Sequence, residues 1–201
     1  MLAYLTATEI IDWQHANILQ LSQQLATSNV NTTVKACFEW VRDNIDHSSD
    51  FQMNPVTCRA SEVLQHKTGY CFAKSHLLAA LLRANSIPAG FCYQRLSVFD
   101  NGAPYSLHGL NAVYLAEYGW YRLDARGNKP GVNAQFNPPQ EQLAYSINFP
   151  EEIDCQHIFA EPLPKVVKSL QSYTTWDEAL HNLPDIERED LAAYEEKRQI
   201  K

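Results

Sequence analysis

The clearest periodicity lies in "NTTVKACFEWVRDNIDHSS", residues 31–49, where Val34, Cys37, Phe38, Val41 and Ile45 recur at helical spacing. This pattern predicts an amphipathic helix with Cys37 on its inner face. Upstream, Ile10, Ile11, Trp13, Ile18, Leu21 and Leu25 predict a less regular helix from Thr8 to about Thr27. "DFQMNPVTCRA" reads as loop and "SEVLQHKTG" as a short helix that ends at Gly69. From Cys71 onward, Leu77, Leu78, Leu81 and Leu82 make an apolar face among small alanines, until "NSIP" ends the helix near Asn85.

The period then changes. "AGFCYQRLSVF" and "HGLNAVYLAEYGWYRLDA" carry β-branched and aromatic residues at strand spacing, with "DNGAP" and "EYG" as turns, and so predict an antiparallel sheet of at least three strands. "RGNKPGVNAQFNPPQ" is a long Gly/Pro/Asn loop, of the kind that serves as a lid, and residues 127–139 are expected to cover a site. A short strand near "IDCQHIFA", a Pro-bracketed "EPLPKVVKSL" and a charged helical tail from Trp176 to Lys201 follow. The expected organisation is one α+β domain over residues 1–170 and a charged helical extension over 171–201.

Composition narrows the class. A chain of 201 residues, 45% hydrophobic and 19% charged, is long enough for a core of its own. Its formal charge is −7 with Lys and Arg scattered, which argues against nucleic acid as a partner. The first residues lack a basic stretch followed by an apolar run, and no apolar run approaches 18 residues; a cytoplasmic protein with no membrane partner is expected. Five cysteines without a C-x-x-C suit free thiols in a reducing compartment. Cys155 and His157 form one loose pair, short of the paired spacings of a zinc site, so neither metal nor other cofactor is expected.

The chemistry centres on "TGYCFAKSHLLAALL". A helix N-terminus offers unpaired N–H groups and about half a positive charge, both of which favour a thiolate at Cys71. Cysteine is also among the most buried and inert residue types, so position alone leaves nucleophile and core thiol both open. A nucleophile needs a base and a group to orient it. His108 opens a strand and Asp124 closes the next, which places them at one sheet edge. A turn centred on Tyr118, however, sets Asp124 opposite Ala112, four residues or roughly 13 Å from His108. Tyr70, Phe72 and Trp120 are candidate walls of a substrate cleft, Lys74 is expected in solvent, and His66, His76 and His157 carry no assigned role.

"TGYCFAKSHLLAALLRANSIPAGF", "HGLNAVYL" and "GWYRLDARGN" together resemble the transglutaminase-like superfamily, over about residues 30 to 128. The resemblance implies a papain-like fold in its transglutaminase variant, with Cys71 as nucleophile, His108 as base and Asp124 as the orienting acid. It also implies an oxyanion role for Gln65, six residues before Cys71. Phe72 stands where tissue-type members have tryptophan, and no Asp-rich calcium loop is present. The implied activity is acyl transfer from an amide through a thioester, as a peptidase or deamidase acting on a protein, peptide or small amide. The alternatives are an amine-accepting transglutaminase and a binding module that keeps the fold without turnover.

Overall fold

The computed structural model describes residues 1–187 and 190. After a short 3-10 turn at Leu2–Leu5, the first helix, α1, spans only Ala16–Leu25. Residues 8–15 instead form a bent segment, held where the Trp13 indole N–H donates to the Leu5 carbonyl, and His15 caps the helix through Nδ1. Helix α2 spans Val30–Asn44, opened by Asn29, whose Oδ1 accepts from the Thr32 N–H. Its inner face buries Val34, Cys37, Phe38 and Val41, as the periodicity predicts.

Strand β1 (Asp46–His47), the short helix α3 (Ser48–Phe51) and helix α4 (Ala60–His66) follow. Helix α4 stops at Lys67 in the left-handed region, so Thr68–Gly69 leaves the helix as strand β2 and pairs in parallel with β1. Helix α5, Cys71–Ala84, is buried on every side from Cys71 to Arg83, and α1, α2 and α4 pack around it. Its apolar stripe is therefore only part of what it buries. Strands β3 (Ala89–Ser97) and β4 (Tyr105–Leu115) cover its remaining side, and β5 (Gly119–Leu123) pairs with β4.

The small hairpin β6 (Gln135–Asn137) and β7 (Gln140–Gln142) lies against Tyr121, and β8 (Ile153–Asp154) completes an antiparallel sheet of order β5-β4-β3-β8. Helices α6 (Pro164–Ser172) and α7 (Trp176–His181) return to the body of the protein. Ala179 and Ile186 join the same buried cluster as Ile11 and Phe91, so the described part of the tail packs on the common core. The rest of the predicted tail helix lies outside the described residues.

Lys74 corrects an expectation. It is 1% exposed, and its ammonium donates to the carbonyls of Arg42 and Ile45 at the C-terminal end of α2. It thereby supplies donors that the last carbonyls of a helix lack. Burial, aided by the Arg126 charge, lowers its pKa to about 7 against partial opposition from Asp124, Asp46 and Asp43. A neutral amine still has two N–H groups for the two carbonyls.

The sign of the pH effect follows. Between about pH 7 and about 10.4 the unfolded chain holds a proton that the folded Lys74 has released, so this residue's contribution to stability rises with pH. Lys74→Met should cost about 1–3 kcal/mol in urea unfolding, because two buried carbonyls lose their donor. The stability difference between the parent and this variant should grow by about 1.5 kcal/mol from pH 7 to 8.5. A difference that stays flat across that range contradicts the assignment.

Candidate active site

Three elements meet at the N-terminus of α5. Before it, the β1–β2 pairing fixes the approach of the chain, and Gly69 fits a tight space there, where an added Cβ would lie 3.0 Å from Ala73 Cβ and 3.2 Å from Thr57 Oγ1. Tyr70 occupies the N-cap position, its hydroxyl donating to the Trp176 carbonyl. Cys71 is thus the first residue of the helix, 8% exposed at the floor of a cleft.

Strand β4 approaches the same point more closely than a side chain permits. A Cβ on Gly109 would lie 2.7 Å from Phe72 Cδ1 and 3.2 Å from Phe72 Cα. This glycine lets the strand backbone touch the helix start, and its N–H donates to Cys71 Sγ at 3.5 Å. Two residues on, the buried Asn111 amide donates to the carbonyls of Ser75 and Gly90, which ties β4 to both α5 and β3.

His108 precedes Gly109 as the fourth residue of β4; the strand begins at Tyr105, earlier than expected. The β4–β5 turn also differs from the sequence expectation. Leu115 pairs with Gly119 and Asn111 with Leu123, so the turn occupies residues 116–118 and the register continues with Asp124 beside Leu110. Asp124 is then two residues from His108 rather than four, a diagonal separation that long side chains bridge. His108 Nε2 meets Asp124 Oδ2 at 2.7 Å, and Cys71 is close enough to act on the charge of the imidazole.

The carboxylate of Asp124 is fully buried and well partnered. Oδ1 accepts from the Arg126 N–H at 3.1 Å, and Oδ2 accepts from the Ala144 N–H at 3.1 Å as well as facing His108. Burial opposes its charge, but His108 and these N–H groups outweigh burial and hold its pKa below the ordinary carboxylate value. Burial likewise opposes an imidazolium at His108, yet Asp124 and Cys71 raise its pKa above the ordinary histidine value.

The cleft has a volume of about 650 Å³, and Tyr70, Phe72, Leu107, Tyr145, Val132 and Leu183 contribute to its walls. Tyr145 sets its ring edge-on to His108 with centroids 5.0 Å apart. Of the loop expected to cover the site, Lys129–Val132 reaches the cleft, whereas residues 135–142 form the hairpin held by Tyr121. Another groove, of about 540 Å³, runs along Thr8–Ile10 and α6 and has neither cysteine nor histidine in its lining.

Cys71, His108 and Asp124 are brought together, and Tyr70 and Phe72 line the same cleft. Gln65 is not brought there: it sits exposed near the end of α4, because the chain turns inward only after Lys67. Trp120 also lies elsewhere, packed on Tyr4 and Tyr114 beside the Cys92, Leu110 and Ala112 cluster. Gly109, Arg126 and Tyr145 escaped the sequence reading. The only local trace of Gly109 is its place directly after His108, and Tyr145 reaches the site by a fold-back that no spacing reveals.

Three solved structures resemble this fold. One is a provisionally named cysteine protease from Cytophaga hutchinsonii, with TM-score 0.51 and 22% identity over 62% of this chain and 41% of that one. The periplasmic domain of TgpA from Pseudomonas aeruginosa, bound to ethylmercury, gives TM-score 0.44 and 20% identity over 61% of this chain and 46% of that one. The same domain without that label gives 0.44 and 19%, over 61% and 45%. This chain therefore spans less than half of each of those structures, and the likeness concerns the fold. A comparison with curated proteins gives no match. The family model for the transglutaminase-like core matches residues 19–125, more than half of the 201 residues. Sequence match, element order and the helix packed on a curled antiparallel sheet agree: the chain belongs to the transglutaminase-like superfamily.

Proposed function

We propose that the protein is a cysteine-dependent acyl-transfer enzyme that hydrolyses amides through a thioester on Cys71. The observation that carries this reading is the buried His108–Asp124 pair in the same cleft as Cys71, with the thiol at the start of α5. Nε2 of His108 faces Asp124, which leaves Nδ1 for the thiol. His108 takes the thiol proton, the thiolate attacks the carbonyl carbon, and Asp124 stabilises the imidazolium. The Gly109 N–H donates to Sγ and holds the sulfur at the helix start before attack. First-turn N–H groups of α5, free of intrahelical partners, serve the oxyanion in place of Gln65.

Collapse of the tetrahedral intermediate breaks the C–N bond, and His108 returns its proton to the departing amine. Water then attacks the thioester with His108 as base, and the acid and the thiol are released. Hydrolysis is favoured over amine transfer because water is always present in the cleft.

At pH 7, iodoacetamide should alkylate Cys71 at least about tenfold faster than a free thiol of ordinary pKa, and His108→Ala should remove that advantage. Ordinary thiol reactivity in the parent contradicts the reading. Asp124→Asn should lower turnover by about 10²- to 10⁴-fold while leaving the fold intact by circular dichroism, since orientation and imidazolium stabilisation are lost together. A peptide-amide library incubated with and without glycine ethyl ester should yield hydrolysed products by mass spectrometry in both cases. Products that form only with the added amine would assign the transferase reaction instead.

A further inference from the structure

One wall of the cleft carries a charge arrangement that acyl transfer itself does not require. Asp50, on α3, receives both Nη atoms of Arg126, Nη2 at 3.0 Å from Oδ1, and the Lys129 ammonium at 2.8 Å on the same oxygen. Burial disfavours a charge on Asp50, but the Arg126 and Lys129 hydrogen bonds hold its pKa below the usual carboxylate range. His47 lies 3.9 Å from Asp50, yet burial and the Arg126 charge push its pKa well below the ordinary value and keep it neutral. Among the described residues of this wall, two cations thus face one carboxylate, and one positive charge is left over.

The placement ties that charge to the reacting atoms. Arg126 is 6% exposed, stands two residues after Asp124, and lies 5.8 Å over the Tyr145 ring that in turn abuts His108. Both cations are held by Asp50, but Arg126 is buried whereas the Lys129 side chain is 41% exposed and lines the cleft. The far end of the cleft carries Asp100 and Glu152. Glu152 accepts the N–H groups of Ser97, Asn148 and Phe149, and these hold its pKa below the ordinary value despite the opposing effect of burial. The cleft is therefore polarised along its length, cationic beside Arg126 and Lys129 and anionic at the other end.

We propose that the Arg126–Lys129 wall recognises a carboxylate on the substrate, so that the amides preferred by Cys71 carry a carboxylate close to the carbonyl under attack. A monoanion matches the single surplus charge, whereas a dianion would overbalance it and meet the repulsion of Asp100 and Glu152. Lys129 supplies the open charge, and Asp50 sets how much of it the substrate feels. The inference rests on Cys71 being the reactive thiol.

Two alkylating reagents of different charge test it without knowledge of the natural substrate. Iodoacetate and iodoacetamide both form an S–CH2 bond to the Cys71 thiolate and release iodide, but iodoacetate carries a carboxylate one bond from the reacting carbon. The ratio of their rates, followed by peptide mapping in low salt and referred to glutathione, reports the charge near Sγ and cancels changes in intrinsic reactivity. The parent ratio should exceed that of glutathione. It should fall about threefold or more in Lys129→Gln, rise in Asp50→Asn, stay constant in Lys35→Gln, and collapse towards the glutathione value in about 1 M NaCl, where the Debye length is about 3 Å. A ratio in Lys129→Gln equal to the parent's overturns the carboxylate site while leaving Cys71 a nucleophile. Failure of both reagents to label Cys71 in the parent overturns the nucleophile reading and, with it, this inference.

Discussion

The site depends on one close contact, the passage of β4 across the start of α5 at Gly109 and Phe72. A side chain on Gly109 would collide with both the ring and the Cα of Phe72. Because none is present, the strand settles against the helix start, and the same residue turns its N–H toward the Cys71 sulfur. His108 is the residue immediately before it, so the depth of this contact sets where the imidazole lies. Asn111 fixes the strand from its other side by donating to the carbonyls of Ser75 and Gly90, a buried bridge that holds the sheet in register with the helix.

Around that contact the fold distributes charges whose burial would otherwise be costly. Asp124 has a ring nitrogen and two backbone N–H groups, and can stay ionised at 0% exposure. Lys74, one turn into α5, ends at the carbonyls of Arg42 and Ile45. Arg126 shares Asp50 with Lys129 and joins Asp124 to the cleft wall, through its N–H on one side and its guanidinium on the other. Asp124 and the proposed binding cations thus hang on the same short segment after β5, and a substrate held by that wall would be oriented relative to Asp124 by the backbone itself.

Much of this was legible in the sequence, for identifiable reasons. The start of α5 is a local event, marked by Gly69 and the Ala/Leu run, and the order Cys71, His108, Asp124 follows from strand patterning and family resemblance. The diagonal between His108 and Asp124 depended on turn length, which moved the register by one residue at each strand and changed a separation of four residues into two. Lys74 was misread because its type suggests solvent, whereas the end of α2 needs donors. Gln65 was misplaced because a left-handed Lys67 ends α4 before the chain reaches the cleft. Arg126 and Tyr145 come to the site from segments with no periodic signal, through contacts such as Ala144 on Asp124 that only the folded chain creates.

The most direct test substitutes the glycine at the contact. In Gly109→Ala the added methyl must displace Phe72 or lift β4, which separates His108 from Cys71 while every triad residue is retained. At pH 7, Cys71 in this variant should react with iodoacetamide at least about tenfold more slowly than in the parent, with a cooperative thermal transition preserved. Reaction at the parental rate in a folded Gly109→Ala protein would contradict the account.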